Sequence, residues 1–338
     1  MQLRRMQLRD INISEKIGNP LFVALVIHFV LWLPAFLTLQ AVDVPRPVVP
    51  LHVQPNLTPL GYTVSLSLWL VPAVSVVGFV LLHRASAFPW KSLGVTVAVL
   101  LSLGVILDVA FGNLFFTFPN AGAHLGLYAP GWDWNTMRFT MSIPIEEFFF
   151  YLFGDAVALL IYLWCDRFWL NLYSRNEDPY PYAKLGRLVS FAWWPVLLGA
   201  VIFGTGWAYK AFFSGTKGFP GYFLFLIAVA FVPATLFFTK VHHRINWQAY
   251  GCTALTMFFI SLIWECTIAF PYGWWAYKPE MMLGMDIRAW SELPVEEPFL
   301  WLLVTFSSIM TFEVIHAAMS SGERVGTAVL GEVLRQKV

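Results

Sequence analysis

Apolar and polar positions in this chain are grouped in blocks, with long apolar runs set off by short polar stretches. Leu21–Leu39, Val97–Leu107, Phe148–Trp164 and Phe299–Met310 show the pattern. A helix needs roughly 20 mainly apolar residues to cross a bilayer. On that measure eight spans are predicted, at about 20–41, 63–83, 92–112, 141–164, 188–213, 221–239, 249–270 and 293–317. The residues between them are loops, among them a proline-rich stretch over 42–62 that reads as a stiff external connector.

Charge supports this division and gives it a direction. Of the 21 Lys and Arg, all but Arg46, Arg138, Lys210, Lys217, Lys278 and Arg288 fall on the side of the alternating loops that also holds both termini. The positive-inside rule then predicts cytoplasmic termini and a multi-pass protein of the cell membrane. Arg4, Arg5, Arg9 and Lys16 precede the first run, which reads as a retained span because no small-residue cleavage site follows. Overall, 58% of residues are apolar and 12% charged, against about 25% charged in soluble chains. A net charge of +1 argues against a nucleic-acid partner. Cys165, Cys252 and Cys266 stand far apart, as neither a disulfide framework nor a zinc site would have them.

The candidate chemistry is acidic and occurs twice. Pro144-Ile145-Glu146-Glu147 heads one apolar run and Pro294-Val295-Glu296-Glu297 heads another. The span before each ends in an acid, Asp108 or Glu265. An aromatic external loop lies between, with Trp132 and Trp134 in the first copy and Trp274, Trp275 and Tyr277 in the second. The order acid, aromatic loop, P-x-E-E predicts an internal duplication. The expected fold is an all-α integral membrane protein of about eight transmembrane helices arranged as two parallel repeats. The divisions are 1–62 (first helix and external loop), 63–164 (first repeat), 165–220 (cytoplasmic linker and an extra helix), 221–319 (second repeat) and 320–338 (cytoplasmic tail).

A single P-x-E-E is well explained without function, since proline suits the first helical turn and glutamate there complements the macrodipole by ~0.3–1 kcal/mol. Duplication, with an acid ending the preceding span each time, favours a functional reading. An acid within a span costs ~3 kcal/mol on insertion scales and is a functional hypothesis by default. The six carboxylates lie at the same end of their spans, with no basic residue expected among them. Tyr151 and Asp155 fall on the helical face of Glu147, Asp155 as either a supporting partner or a packing hydrogen bond. Glu313, near the other end, reads as a snorkelling acid, and His28 as a packing residue. No G-x-G-x-x-G after a strand, P-loop or H-E-x-x-H is present, so no cofactor and no metal are expected.

The doubled P-x-E-E, each copy preceded by an acid and a tryptophan-rich loop, resembles the carotenoid (lycopene) cyclases of the small membrane-subunit type, over about 64–163 and 222–319. That resemblance implies a redox-neutral cyclase, an intramolecular lyase or isomerase of carotenoid biosynthesis. It would act on the linear ends of a lipophilic C40 polyene such as lycopene, surrounded by membrane lipid, with a complex with other carotenoid enzymes allowed for. Glu146, Glu147, Glu296 and Glu297 would carry the acid–base steps with Asp108 and Glu265. Trp132, Trp134, Trp274, Trp275, Tyr277 and Tyr151 would line the substrate and stabilise a cation through their ring faces. Pro298 stands where the first copy has Phe148, and a proline there can kink the helix start. A related hydratase, or a proton-coupled transporter, shares paired intramembrane acids and stays open at this point.

Overall fold

The computed structural model describes residues 59–83, 88–174 and 192–320. The predicted first span, most of the 42–62 loop, much of 165–187 and the tail beyond Ser320 lie outside the described residues. The described chain is mostly helical. Its helices are α1 (Gly61–Leu82), α2 (Trp90–Phe115), α3 (Glu146–Trp164, continued by a π-turn to Trp169), α4 (Trp193–Phe212), α5 (Gly221–Arg244), α6 (Trp247–Trp264, continued by a π-turn to Ala269) and α7 (Glu296–Ser320). Six of them, all but α6, are long and apolar enough to cross a membrane. The protein is multi-pass by length and composition. Helix α6 carries Gln248, Tyr250, Thr253 and Thr256 in its first turns, which lowers its apolarity. It packs against α3 and α7 nevertheless.

The helix starts differ from the sequence expectation in one instructive way. Predicted spans began at about 141 and 293, but residues 138–144 and 293–294 are β-strands and the helices start at Glu146 and Glu296. Pro144 and Pro294 end those strands. Each proline removes a backbone donor, and a strand end tolerates that loss. Pro298 produces no break in α7, because first-turn amides have no intrahelical partner to lose. Asn246 starts α6, its side chain accepting from Ala249 N at 3.2 Å, an N-cap of the ordinary kind.

Small antiparallel ladders cap one end of the bundle, a departure from an all-α fold. Strands β2 (Tyr128–Asp133) and β3 (Arg138–Pro144) form a hairpin. At its turn the Asp133 carboxylate accepts from Asn135 N and Thr136 Oγ1, both at 2.9 Å, as aspartate does in turns. Strand β5 (Asp286–Ile287) pairs with β6 (Leu293–Pro294). Strand β1 (Phe116–Thr117) pairs with β4 (Ala276–Tyr277), putting Phe116 opposite Tyr277. Backbone amides that leave a helix here meet partners in these ladders, which apolar surroundings require.

Helix α7 is central: 72% of its apolar window is buried, against 17% for α2 and for α4. It contacts α2, α3, α5 and α6. The main core gathers Tyr62, Trp69, Trp264, Trp274 and Trp301, with Trp69 stacked on Trp301 at 5.3 Å and 10°.

Candidate active site

Four of the six predicted acids reach one cavity of about 540 Å³. Asp108 comes from α2, Glu147 from α3, Glu265 from the end of α6 and Glu297 from α7. Asp108, Glu265 and Glu297 are buried, and the charges of Asp108 and Glu297 are close enough to act on Glu147. The remaining wall is mostly apolar and aromatic, and includes Phe150, Trp275 and Trp301. In such a low-dielectric space every fixed dipole acts at greater strength than in water.

Each acid is held by a named donor. Tyr62 OH donates to Glu147 Oε1 at 2.8 Å, and Tyr222 OH to Glu297 Oε1 at 3.3 Å. Tyr151 hydrogen-bonds Asp108, and Trp301 Nε1 donates to Glu265 Oε1 at 2.6 Å. The carboxyls of Glu265 and Glu297 are close enough to act on each other. Tyr277 also binds Glu297, and Trp275 Nε1 donates to Tyr277 OH at 2.9 Å. Burial, reinforced by the Glu297 charge, holds the Tyr277 phenol well above its ordinary pKa, so Tyr277 is a donor at neutral pH. Glu265 opens a π-turn, a local unwinding that often aims a side chain at a functional site.

The first glutamate of each motif does something else. Glu146 and Glu296 do not line the cavity. Glu146 Oε1 accepts from Leu125 N and Thr63 Oγ1, both at 2.6 Å. Glu296 Oε1 accepts from Leu283 N at 2.5 Å. Both amides belong to Leu-Gly turns, and the glycines, Gly126 and Gly284, take φ 78° and 74°, values open to glycine at no steric cost. Ile145 N donates to Leu127 O at 3.0 Å and Val295 N to Met285 O at 2.9 Å. The two copies therefore fold back on their helix starts by the same bonds.

Of the predicted aromatic residues, Trp275 and Tyr151 line the cavity. Tyr277 meets it through Glu297. Trp274 is buried behind it against Tyr62, with centroids 5.9 Å apart. Trp132 and Trp134 lie on the β2–β3 hairpin outside the lining, and Trp134 is 43% exposed. Asp155 does line the cavity, and Ser308 Oγ donates to it at 2.7 Å.

Other expectations need correction. Glu313 does not snorkel. It is fully buried, accepts from Tyr162 OH at 3.0 Å and pairs with Arg244 at 3.7 Å. The acids also have a buried cation nearby. Lys210 of α4 is 3% exposed, donates to Glu280 O at 2.7 Å and to Met282 O, and its charge acts on Glu296. The sequence reading missed Tyr62, Tyr222 and Trp301. A signal for the tyrosines was present, since Gly61-Tyr62 and Gly221-Tyr222 both open a helix two spans before a P-x-E-E.

Comparison with known family models, curated proteins and solved structures finds no match.

Proposed function

We propose that the protein is a carotenoid end-group cyclase of the lycopene cyclase kind, working by redox-neutral acid–base chemistry. The observation that carries this reading is the convergence of two carboxyls from each half on one aromatic, apolar cavity. Ring closure of an acyclic isoprenoid end needs an acid beside a terminal double bond, a surface that tolerates a cation, and a base. Carboxyls in dry surroundings with tyrosine donors suit the first and last. The faces of Phe150, Trp275 and Trp301 suit the second, as ring quadrupoles attract cations.

The geometry favours a division of labour. Glu147 and Glu297 face the substrate, with Asp108 and Glu265 beside them. One carboxyl gives its proton to the terminal alkene carbon, and the cation closes on the next double bond. A neighbouring carboxylate then removes a ring proton, so the proton count is restored and nothing is oxidised. Donor and acceptor lie on different helices, as in the Glu265–Glu297 pair. Glu146 and Glu296 clamp the Leu-Gly turns and act as positioning residues. We take the halves 63–164 and 221–319 to be parallel repeats, with β1 of the first paired to β4 of the second. The eight-span topology and cytoplasmic termini belong to the same proposal, as do a lipophilic polyene substrate and the cell membrane as location.

Pigment analysis of a lycopene-accumulating host tests it. Expression should yield cyclic isomers of unchanged mass, and Glu147→Gln and Glu297→Gln should abolish them. A product heavier by one water would replace the cyclase with a hydratase. Unaltered lycopene at good expression would overturn the reading.

A further inference from the structure

Helix α7 is almost wholly buried, yet one stripe of it is not. Between Trp301 and Phe312 every side chain is buried except Val304, Ser307 and Thr311. These line the cavity that begins at Glu297. Their spacing of three and four places them on one helical face. At 1.5 Å rise per residue, Glu297 to Thr311 is a run of about 21 Å. The cavity is therefore a trough along most of α7, with Asp108, Glu147, Glu265 and Glu297 at one end and Asp155 farther along, beside Ser308.

Its side walls are α2 and α5. At the acid end they meet through aromatic rings: Phe225 lies 5.7 Å from Phe111 and 5.2 Å from Phe115, and Tyr222 lies 5.2 Å from Phe115. Beyond this lid no ring pair joins the two walls among the described residues; both rest on α7. Val99 and Leu103 of α2 line the trough and are still 48% and 44% exposed. On the other wall α5 unwinds into a π-turn, Ile227–Phe231, which presents Val229 and Ala230 to the trough. Among the described residues the trough is closed at the acids and open sideways.

We propose that this trough is the binding site for the linear remainder of the substrate. A rod-like polyene enters from the bilayer between α2 and α5 and seats one end under the Phe111–Phe225 lid. Its length lies along Val304, Ser307 and Thr311, and its far end stays outside. One end is processed per binding event. This rests on the cyclase reading for the identity of the polyene, while the trough itself is a matter of geometry.

Thr311→Trp obstructs the far end, about 21 Å along the helix from Glu297 and remote from the four converging acids. Ile106→Trp, on the lipid side of α2 (64% exposed), is the control. Two measurements in lipid nanodiscs decide. One is the induced visible circular dichroism of bound lycopene. The other is the conversion ratio of lycopene to a short acyclic isoprenoid with the same end group. Thr311→Trp should cut lycopene binding and shift the ratio at least tenfold toward the short substrate, and Ile106→Trp should do neither. Ser307→Leu, a smaller obstruction, should shift the ratio in the same direction and guards against misfolding of the first variant. Wild-type binding and ratio in both trough variants would overturn the inference. If no variant or wild type turns over, loss of dichroism in Thr311→Trp alone would still uphold the trough while the cyclase reading falls.

Discussion

Adjacent glutamates in a P-x-E-E motif look equivalent in sequence and are not. About 100° separates consecutive residues on a helix, enough to send Glu147 to the cavity and Glu146 to a backbone amide. The consequence is measurable. Gln at 146 keeps an acceptor for Leu125 N and Thr63 Oγ1, so Glu146→Gln should retain most cyclising activity. Glu146→Ala leaves a buried amide unpaired and should lose about 1–3 kcal/mol of stability, read as a lower unfolding temperature in detergent. Glu147→Gln should fold like wild type and form no product. Equal loss of activity in Glu146→Gln and Glu147→Gln, at unchanged stability, would return Glu146 to the proton chemistry.

At the scale of elements, the loop that carries the clamp is also where pH enters. His124 is buried beside Leu125, its ring Nε2 bonded to Trp274 O at 3.1 Å. Burial pushes its pKa below the ordinary 6.5, with the Glu146 charge opposing in part. The folded state thus takes up a proton less readily than the unfolded chain. The contribution of this group to stability is complete above pH 6.5 and falls as acid carries the pH below it. Protection of the 120–128 amides, taken relative to the base-catalysed intrinsic exchange rate, should fall as the pH is lowered from ~7.5 to ~5.5, and His124→Gln should flatten that dependence. A protection factor that does not change over this range in wild type would remove His124 from the account.

At the scale of the whole molecule, a seam joins the end of α2 to the loop that follows α6. Besides the β1–β4 ladder, Lys278 N donates to Phe115 O at 2.9 Å and Lys278 Nζ to Asn113 O at 2.5 Å. Asn120 N donates to Gly273 O at 3.1 Å. These bonds hold the end of α2, and with it Asp108, against the loop that carries Trp275 and Tyr277. Lys278→Met should cost ~1.5–3 kcal/mol, the range for a bond from a charged donor. It should lower conversion although every acid remains, and Lys278→Arg should restore much of both. Unfolding temperature and product yield, measured together, check the pair.

The block pattern of apolar residues placed a helix at each of the seven spans expected among the described residues, because the requirement to satisfy backbone groups in lipid leaves few alternatives to a long helix. Six of these helices, all but α6, are apolar enough to cross a membrane. The shared order of acid, aromatic loop and P-x-E-E was legible too, and the four cavity acids come from those two stretches. Helix starts were placed a few residues early because Pro144 and Pro294 read equally as strand ends and first-turn residues, and only the ladder partners distinguish them. Which glutamate of each pair faces the cavity depends on helix rotation, and rotation is set by packing against α7 rather than by any residue nearby in sequence. The same holds for Tyr62 and Tyr222, whose partners are 85 and 75 residues away. The trough was invisible in the sequence. Val304, Ser307 and Thr311 differ from their neighbours on α7 only in what stands opposite them, and a vacancy between α2 and α5 is a property of three helices together.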